Sequence, residues 1–208
     1  WASRRLTAIE VNGTFYSTFK PPTFAKWRDE TPEGFVFAIK AHRSTTNRRE
    51  LASAREAVDR FLGSGLDELG AKLGPILWQF MPTKAFDAQD FEAFLALLPT
   101  SLGSLPLRHV LEVRHASFVD NPQFLALARR YGCVTAHTDS PKYPQIADEQ
   151  APFAYLRLMQ SRPDLETGYS AQALDEWAAG ARAWAEGGRD AYGFFINGPK
   201  GRVPGATW

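Results

Sequence analysis

Apolar residues in this chain fall into short runs, and each run closes on a charged or amide side chain. The run 6–10 closes on Glu10, just before Asn12; 35–39 leads to Lys40, 75–78 to Gln79, and 110–111 to Glu112 and Arg114. Further on, 133–136 leads to His137 and Asp139, 155–156 to Arg157, and 192–196 to Asn197. Strands buried on both faces read as such runs, so strands are predicted at 7–11, 35–41, 76–80, 109–113, 133–137, 153–158 and 191–196. Helical spacing fills the intervals. Pro21 opens a helix at 21–30, and Leu51, Ala54, Val58, Phe61 and Leu62 recur at three- and four-residue steps within 49–69. Asp87 is the expected N-cap of a helix to Leu98. Asn121 and Pro122 open one to Tyr131, and Ser170 caps one to Ala185.

Strands alternating with helices predict an α/β fold with a parallel sheet and crossover connections. A doubly wound open sheet would gather its polar tips at one switch point. Polar tips after every strand favour a TIM (β/α)8-type barrel, whose site is built at the carboxyl ends of the strands. Such barrels usually take about 250 residues, and this chain has 208. Residues 1–208 therefore read as a single domain truncated at both ends, its first strand and last helix falling outside the segment.

Composition narrows the field only a little. The chain is 44% hydrophobic and 13% aromatic, enough for a sizeable core, and its net charge of +1 does not mark a general polyanion binder. Cys133 is the single cysteine, which excludes an intramolecular disulfide and any zinc site built on paired cysteines. It begins a predicted strand, so packing is its expected role. A reducing compartment suits that usage, no apolar stretch approaches a membrane span, and a cytoplasmic location is expected.

Strand alternation puts Glu10 with Asn12, and Glu112 with Arg114, on common faces. Glu112 and Arg114 are spaced to ion-pair, either within a site or as a structural bridge. Lys40, Arg114 and Arg157 end three different strands; guanidinium forks suit carboxylate or phosphate, and the ammonium adds a point charge. Gly198, Pro199, Lys200 and Gly201 follow the last strand, where TIM barrels often bind phosphate, though an ordinary turn reads the same way. Glu10, Glu112 and Asp139 are the candidates for proton transfer, with Asn12, Gln79 and Asn197 orienting hydroxyl groups. No cofactor is expected. A divalent metal stays open as an alternative, its scattered donors being Glu10, Glu112, His115, His137 and Asp139, without a paired-histidine motif. Phe15, Tyr16, Trp78, Phe80, Tyr143 and Tyr169 read either as pocket walls or as core. The run containing Arg43, Arg48 and Arg49 reads as a solvated loop, nucleic-acid contact there being less favoured.

Seven motifs in order, IEVNGTFYS, FVFAIKAHRSTTN, LGPILWQFMP, LEVRHASF, TDSPKYP, AYLRL and FFINGPKGRVP, resemble the YecE-like family, also called domain of unknown function 72. The resemblance covers 10–204. It implies a TIM barrel and carries no particular activity with it. Its polar pattern falls on Glu10, Asn12, Thr14, Tyr16, Lys40, Gln79, Glu112, Arg114, His115, Ser117, Asp139, Arg157 and Asn197. Tyr16 joins the substrate-binding candidates on this basis. The chain departs from the pattern at Asn47 and Met159, where histidine is usual, and at Ile196 and Gly198, where aspartate is usual, as a divergent member would. The leading expectation is an enzyme acting on a small phosphorylated or carboxylated molecule at the strand ends. A non-catalytic barrel binding an anion or nucleic acid is the alternative, and a metal-dependent hydrolase or isomerase comes third.

Overall fold

The computed structural model describes residues 2–146 and 148–196. Elements follow one another as the apolar runs predict. β1 (Ala8–Val11) passes through the single turn α1 (Gly13–Tyr16) to α2 (Pro21–Glu30) and β2 (Val36–Lys40). α3 (Arg55–Leu62) leads to β3 (Leu73–Gln79) and α4 (Ala88–Leu95). Next come β4 (Ser101–Leu102), β5 (Leu105–Pro106) and β6 (His109–Glu112), then α5 (Pro122–Arg130), β7 (Cys133–Thr135) and β8 (His137–Thr138). β9 (Ala154–Leu158), α6 (Ala171–Ala185) and β10 (Ala191–Phe195) close the series.

Two parallel ladders carry the fold. One runs β1-β2-β3-β6-β7 and the other β8-β9-β10. Only Ala136 separates β7 from β8, and its N–H donates to Leu111 O at 2.9 Å, so one stretch of chain serves both ladders. Among the described residues the exception to parallel pairing is the β4–β5 hairpin, an antiparallel pair of two-residue strands turned at Gly103, which has φ +59°. No hydrogen-bonded ladder joins β1 to β10 among the described residues, although the two strands lie in contact.

Helix boundaries follow their capping chemistry. Asp87 accepts from Asp90 N at 2.9 Å, Asn121 from Phe124 N at 3.0 Å and Ser170 from Ala173 N at 3.2 Å, each satisfying an orphan amide of the first turn. The helix expected across 49–69 is instead broken into 3-10 turns at Leu51–Ala54 and Leu66–Lys72 around α3. Gly65 is the cause. It sits at φ +104°, in the left-handed region, and a Cβ there would lie 2.7 Å from Pro21 Cα at the start of α2. The helix stops so that α2 can pack against the next turn.

Each face of the sheet is apolar for a different reason. The outer face buries Trp78 and Phe80 against helix residues such as Phe24, Phe61, Phe91, Phe94 and Phe124. The inner face carries a smaller cluster, with Ala38, Leu77, Val110, Val134, Tyr155 and Phe194. By the two-residue period, the next inward position on β2, β3, β6 and β9 is Lys40, Gln79, Glu112 and Arg157. An apolar plug thus supports a polar layer at the carboxyl ends of the strands. Pro75 is tolerated in central β3 because the β2–β3 register shifts beside it. Gly74 allows the close approach there, since a Cβ would stand 2.5 Å from Val36 Cγ1.

The sheet is strongly curled. Five ladder steps separate β1 from β9, which in a flat sheet would be roughly 24 Å at the usual strand spacing. Yet Arg157 of β9 bonds Glu10 of β1 at 2.8 Å. Among the described residues no helix is long and apolar enough to cross a membrane.

Candidate functional site

Arg157 organises the polar layer. Its Nε and Nη2 donate to the two oxygens of Glu10 at 2.9 and 2.8 Å, a two-pronged pair, and Nη1 donates to Glu112 Oε2. The other carboxylate positions are also occupied. Tyr155 donates to Glu10 Oε2 at 2.8 Å and Asn12 Nδ2 to Glu10 Oε1 at 3.1 Å. Gln79 Nε2 lies 3.0 Å from both oxygens of Glu112, and Arg114 Nε donates to Glu112 Oε1 at 2.7 Å. Arg157, Glu112 and Tyr155 are each about 1% exposed. Burial alone would raise the Glu112 pKa, but the Arg157 and Arg114 guanidiniums and the Gln79 amide outweigh it and hold the carboxyl below its ordinary 4.5. Burial, then the Glu10 charge, drives Tyr155 well above its ordinary value, so its phenol stays a donor.

Two cationic groups keep unused donors. Arg114 spends only Nε on Glu112; its guanidinium lies 4.3 Å over the Tyr143 ring, and its Nη groups make no hydrogen bond among the described residues. Lys40 is 6% exposed, and its ammonium rests 4.1 Å over the Phe15 ring. Among the described residues Lys40 Nζ donates no hydrogen bond and has no carboxylate oxygen within 4.0 Å. Burial and then the Arg157 charge lower its pKa to about 8, against the opposing pull of Glu112 and Glu10. The local turn explains the placement. Thr14 Oγ1 lies 2.9 Å from Val11 O and 2.7 Å from Lys40 O, tying α1 to the end of β2 and setting Phe15 against the ammonium.

The structure thus gathers Glu10, Asn12, Lys40, Gln79, Glu112, Arg114 and Arg157 on one face. Asp139 goes elsewhere. Its oxygens accept from Met159 N at 2.5 Å and Tyr169 at 2.8 Å, beside an open cleft of about 350 Å3 also lined by Gln145, Gln160 and Trp177. His137, two residues earlier on the same face, packs between Trp177 and Trp184 of α6. The cause is parity: Arg157 pairs in register with Thr138, so 137 and 139 turn to the outer face. Tyr16 is 64% exposed beside Phe15. Asn197 and Gly198 lie outside the described residues, as do Pro199, Lys200 and Gly201. Asn47 is exposed in the bend that follows the 3-10 turn Arg43–Thr45 after β2. Tyr155 escaped the sequence reading, although it shares strand parity with Arg157. His115 and Ser117 bond each other at 2.9 Å while Ser117 also accepts from Phe86 N, a local capping arrangement. Arg48 is held by Ser44 O and Ser53 O. Cys133 is buried at the start of β7, and burial pushes its thiol up to about 12. Among the described residues no three histidine, cysteine or acidic side chains converge as a metal site requires.

A parallel α/β protein with a buried polar layer at its strand ends is the class these features define. The chain belongs to the DUF72 family, described as "Protein of unknown function DUF72", whose model matches residues 1–207. It is 29% identical over 159 residues to the UPF0759 protein YunF of Bacillus subtilis, covering 72% of this chain and 54% of that protein. It is 26% identical over 116 residues to the UPF0759 protein YecE of Escherichia coli K12, covering 56% and 41%. The matches thus span about half the length of these two relatives. In fold it is similar to a DUF72 family protein from Enterococcus faecalis V583, with a TM-score of 0.78 at 19% identity, covering 98% of this chain and 88% of that one.

Removing Arg157 leaves two buried carboxylates facing each other. Arg157→Ala is expected to destabilise the fold by about 3–5 kcal/mol, whereas Arg60→Ala, at an exposed helix pair, changes it by less than about 1 kcal/mol. Chemical denaturation of both variants checks this, and similar losses would contradict it.

The folded-state pKa of Lys40, about 8, lies below its ordinary 10.5. The unfolded chain therefore binds more protons between those values, and wild-type stability should rise with pH across that window. Below it the penalty is fully present. Lys40→Met should be more stable than wild type by about 1–3 kcal/mol at pH 7, the margin shrinking as pH climbs from about 8 to 10.5. Thermal unfolding of both proteins against pH reads the narrowing margin.

Proposed function

We propose that this protein is an enzyme acting on a small anionic molecule, phosphorylated or carboxylated, at the carboxyl end of its parallel strands. Three cations against two carboxylates leave the polar layer one positive charge in excess when Lys40 is protonated. The single observation that carries the reading is which cations stay available. Arg157 is enclosed and consumed by Glu10 and Glu112, while Arg114 Nη groups and Lys40 Nζ make no hydrogen bond among the described residues. A planar fork beside a point charge suits a carboxylate or phosphoryl group. Arg157, Glu10, Glu112 and Gln79 serve in this reading as the rigid floor, and an amine held partly neutral can exchange protons near neutral pH.

The finer architecture we propose is a TIM-type (β/α)8 barrel with seven strand positions in the described residues. The strong curl supports it.

The test is calorimetric titration with inorganic phosphate and with oxalate. Wild type should bind at least one of them. Arg114→Ala should weaken binding roughly ten- to a hundredfold, the usual loss for one charged hydrogen-bonding partner, with Arg48→Ala unchanged. An equal or larger loss at Arg48 would move the anion site to the surface loop and overturn the proposal.

A further inference from the structure

Lys40 is an odd choice if charge is all that the site requires. Each of the other two cations in the polar layer has a carboxylate among the described residues. Arg157 holds two, and Arg114 holds Glu112 Oε1. Lys40 has instead an aromatic face at 4.1 Å and two guanidiniums near enough to oppose its protonation. Glu10 and Glu112, which could have paired with it, are saturated by five other side chains, so they cannot swing across without unpairing Arg157. Burial beside like charges is how proteins make a lysine amine nucleophilic.

We infer that Lys40 Nζ condenses with the carbonyl carbon of a small oxo acid whose carboxylate is held by the free Arg114 terminal nitrogens, the amine lying in the same polar layer with no carboxylate of its own among the described residues. This rests on the reading that the strand ends take a small anion, and it names the anion's second functional group. The neutral amine's lone pair forms the N–C bond as the carbonyl π pair moves to oxygen. Nitrogen gives up a proton and oxygen gains one, which yields the carbinolamine. The hydroxyl then departs with the remaining N–H proton as water and leaves the C=N bond. No oxidant or reductant is consumed.

Charge and position agree with that chemistry. With a pKa of about 8, roughly one Lys40 amine in ten is neutral at pH 7, against on the order of one in a few thousand for an ordinary lysine. Arg114 is 18% exposed at its side chain, so the fork sits where a small solute can arrive, and its Tyr143 stack fixes its plane. Phe15 covers the amine from the other side, and its contact with Tyr16 extends that wall into solvent.

The experiment uses the wild-type chain with glyoxylate or pyruvate and sodium cyanoborohydride at pH 7, followed by peptide mapping. The reagent reduces an imine to a stable secondary amine, so each lysine reports its own reactivity. Lys26, which is 67% exposed, is the internal reference. Lys40 should carry at least tenfold more adduct than Lys26, and Arg114→Ala should lower Lys40 labelling by the oxo acids severalfold more than it lowers labelling by neutral propionaldehyde, equal losses with both reagents overturning the role of the Arg114 fork. Labelling of Lys40 no greater than that of Lys26, or indifferent to Arg114 with the oxo acids, would overturn the inference. Phosphate and oxalate titration is independent of imine formation. A negative trapping result with retained oxalate binding would therefore remove the nucleophile and keep the anion site.

Discussion

The buried pairing of Arg157 with Glu10 and Glu112 is the interaction on which the rest of this structure depends. It joins β9 to β1 and β6 across the inner face, and it can form only if the sheet curls until its far strands approach. Desolvating these charges is expensive, and such pairs often contribute little net stability compared with an apolar core. What they supply is specificity of arrangement. Every lone pair of the two carboxylates that faces the layer meets a donor, and breaking one partner exposes the others. The curl and the network therefore require each other.

That mutual requirement also determines what the layer leaves available. The carboxylates are engaged by Arg157, Arg114, Gln79, Asn12 and Tyr155, so the cationic groups with donors to spare among the described residues are the terminal nitrogens of Arg114 and the amine of Lys40. The Thr14 hydroxyl adds a further constraint by fastening the turn after β1 to the end of β2, which sets Phe15 against the amine. An apolar inner cluster beneath the layer keeps these side chains from sinking. A lysine kept in such surroundings lowers the stability of the fold near neutral pH, and residues retained at that expense are commonly functional.

Much of the strand order was legible because continuous apolar runs admit few other readings, and the caps at Asp87, Asn121 and Ser170 marked their helices by side-chain chemistry. The helix across 49–69 misled because its apolar spacing ran on through Gly63 and Gly65, and only the approach of Pro21 shows why the chain must break there. The β4–β5 hairpin was too short for any periodicity, although Gly103 signalled a turn. For the site, parity along each strand correctly grouped Glu112 with Arg114 and Glu10 with Asn12. It also grouped Asp139 with His137, but which face was the inner one depended on the register with Arg157, a long-range fact. The same limit made Arg157 read as an open anion clamp. Its two carboxylate partners lie 147 and 45 residues away in sequence, and nothing local announces them.

The central claim is that Lys40 is the buried cation that the network leaves without a carboxylate among the described residues. Its own titration tests this most directly. With side-chain-labelled lysine, the Lys40 signal can be followed by heteronuclear NMR from pH 6 to 11, assigned by its loss in Lys40→Arg. The account predicts a midpoint near 8, set apart from the exposed lysines. A midpoint at or above the ordinary 10.5 would mean that Lys40 has a carboxylate partner in solution, and would contradict the account.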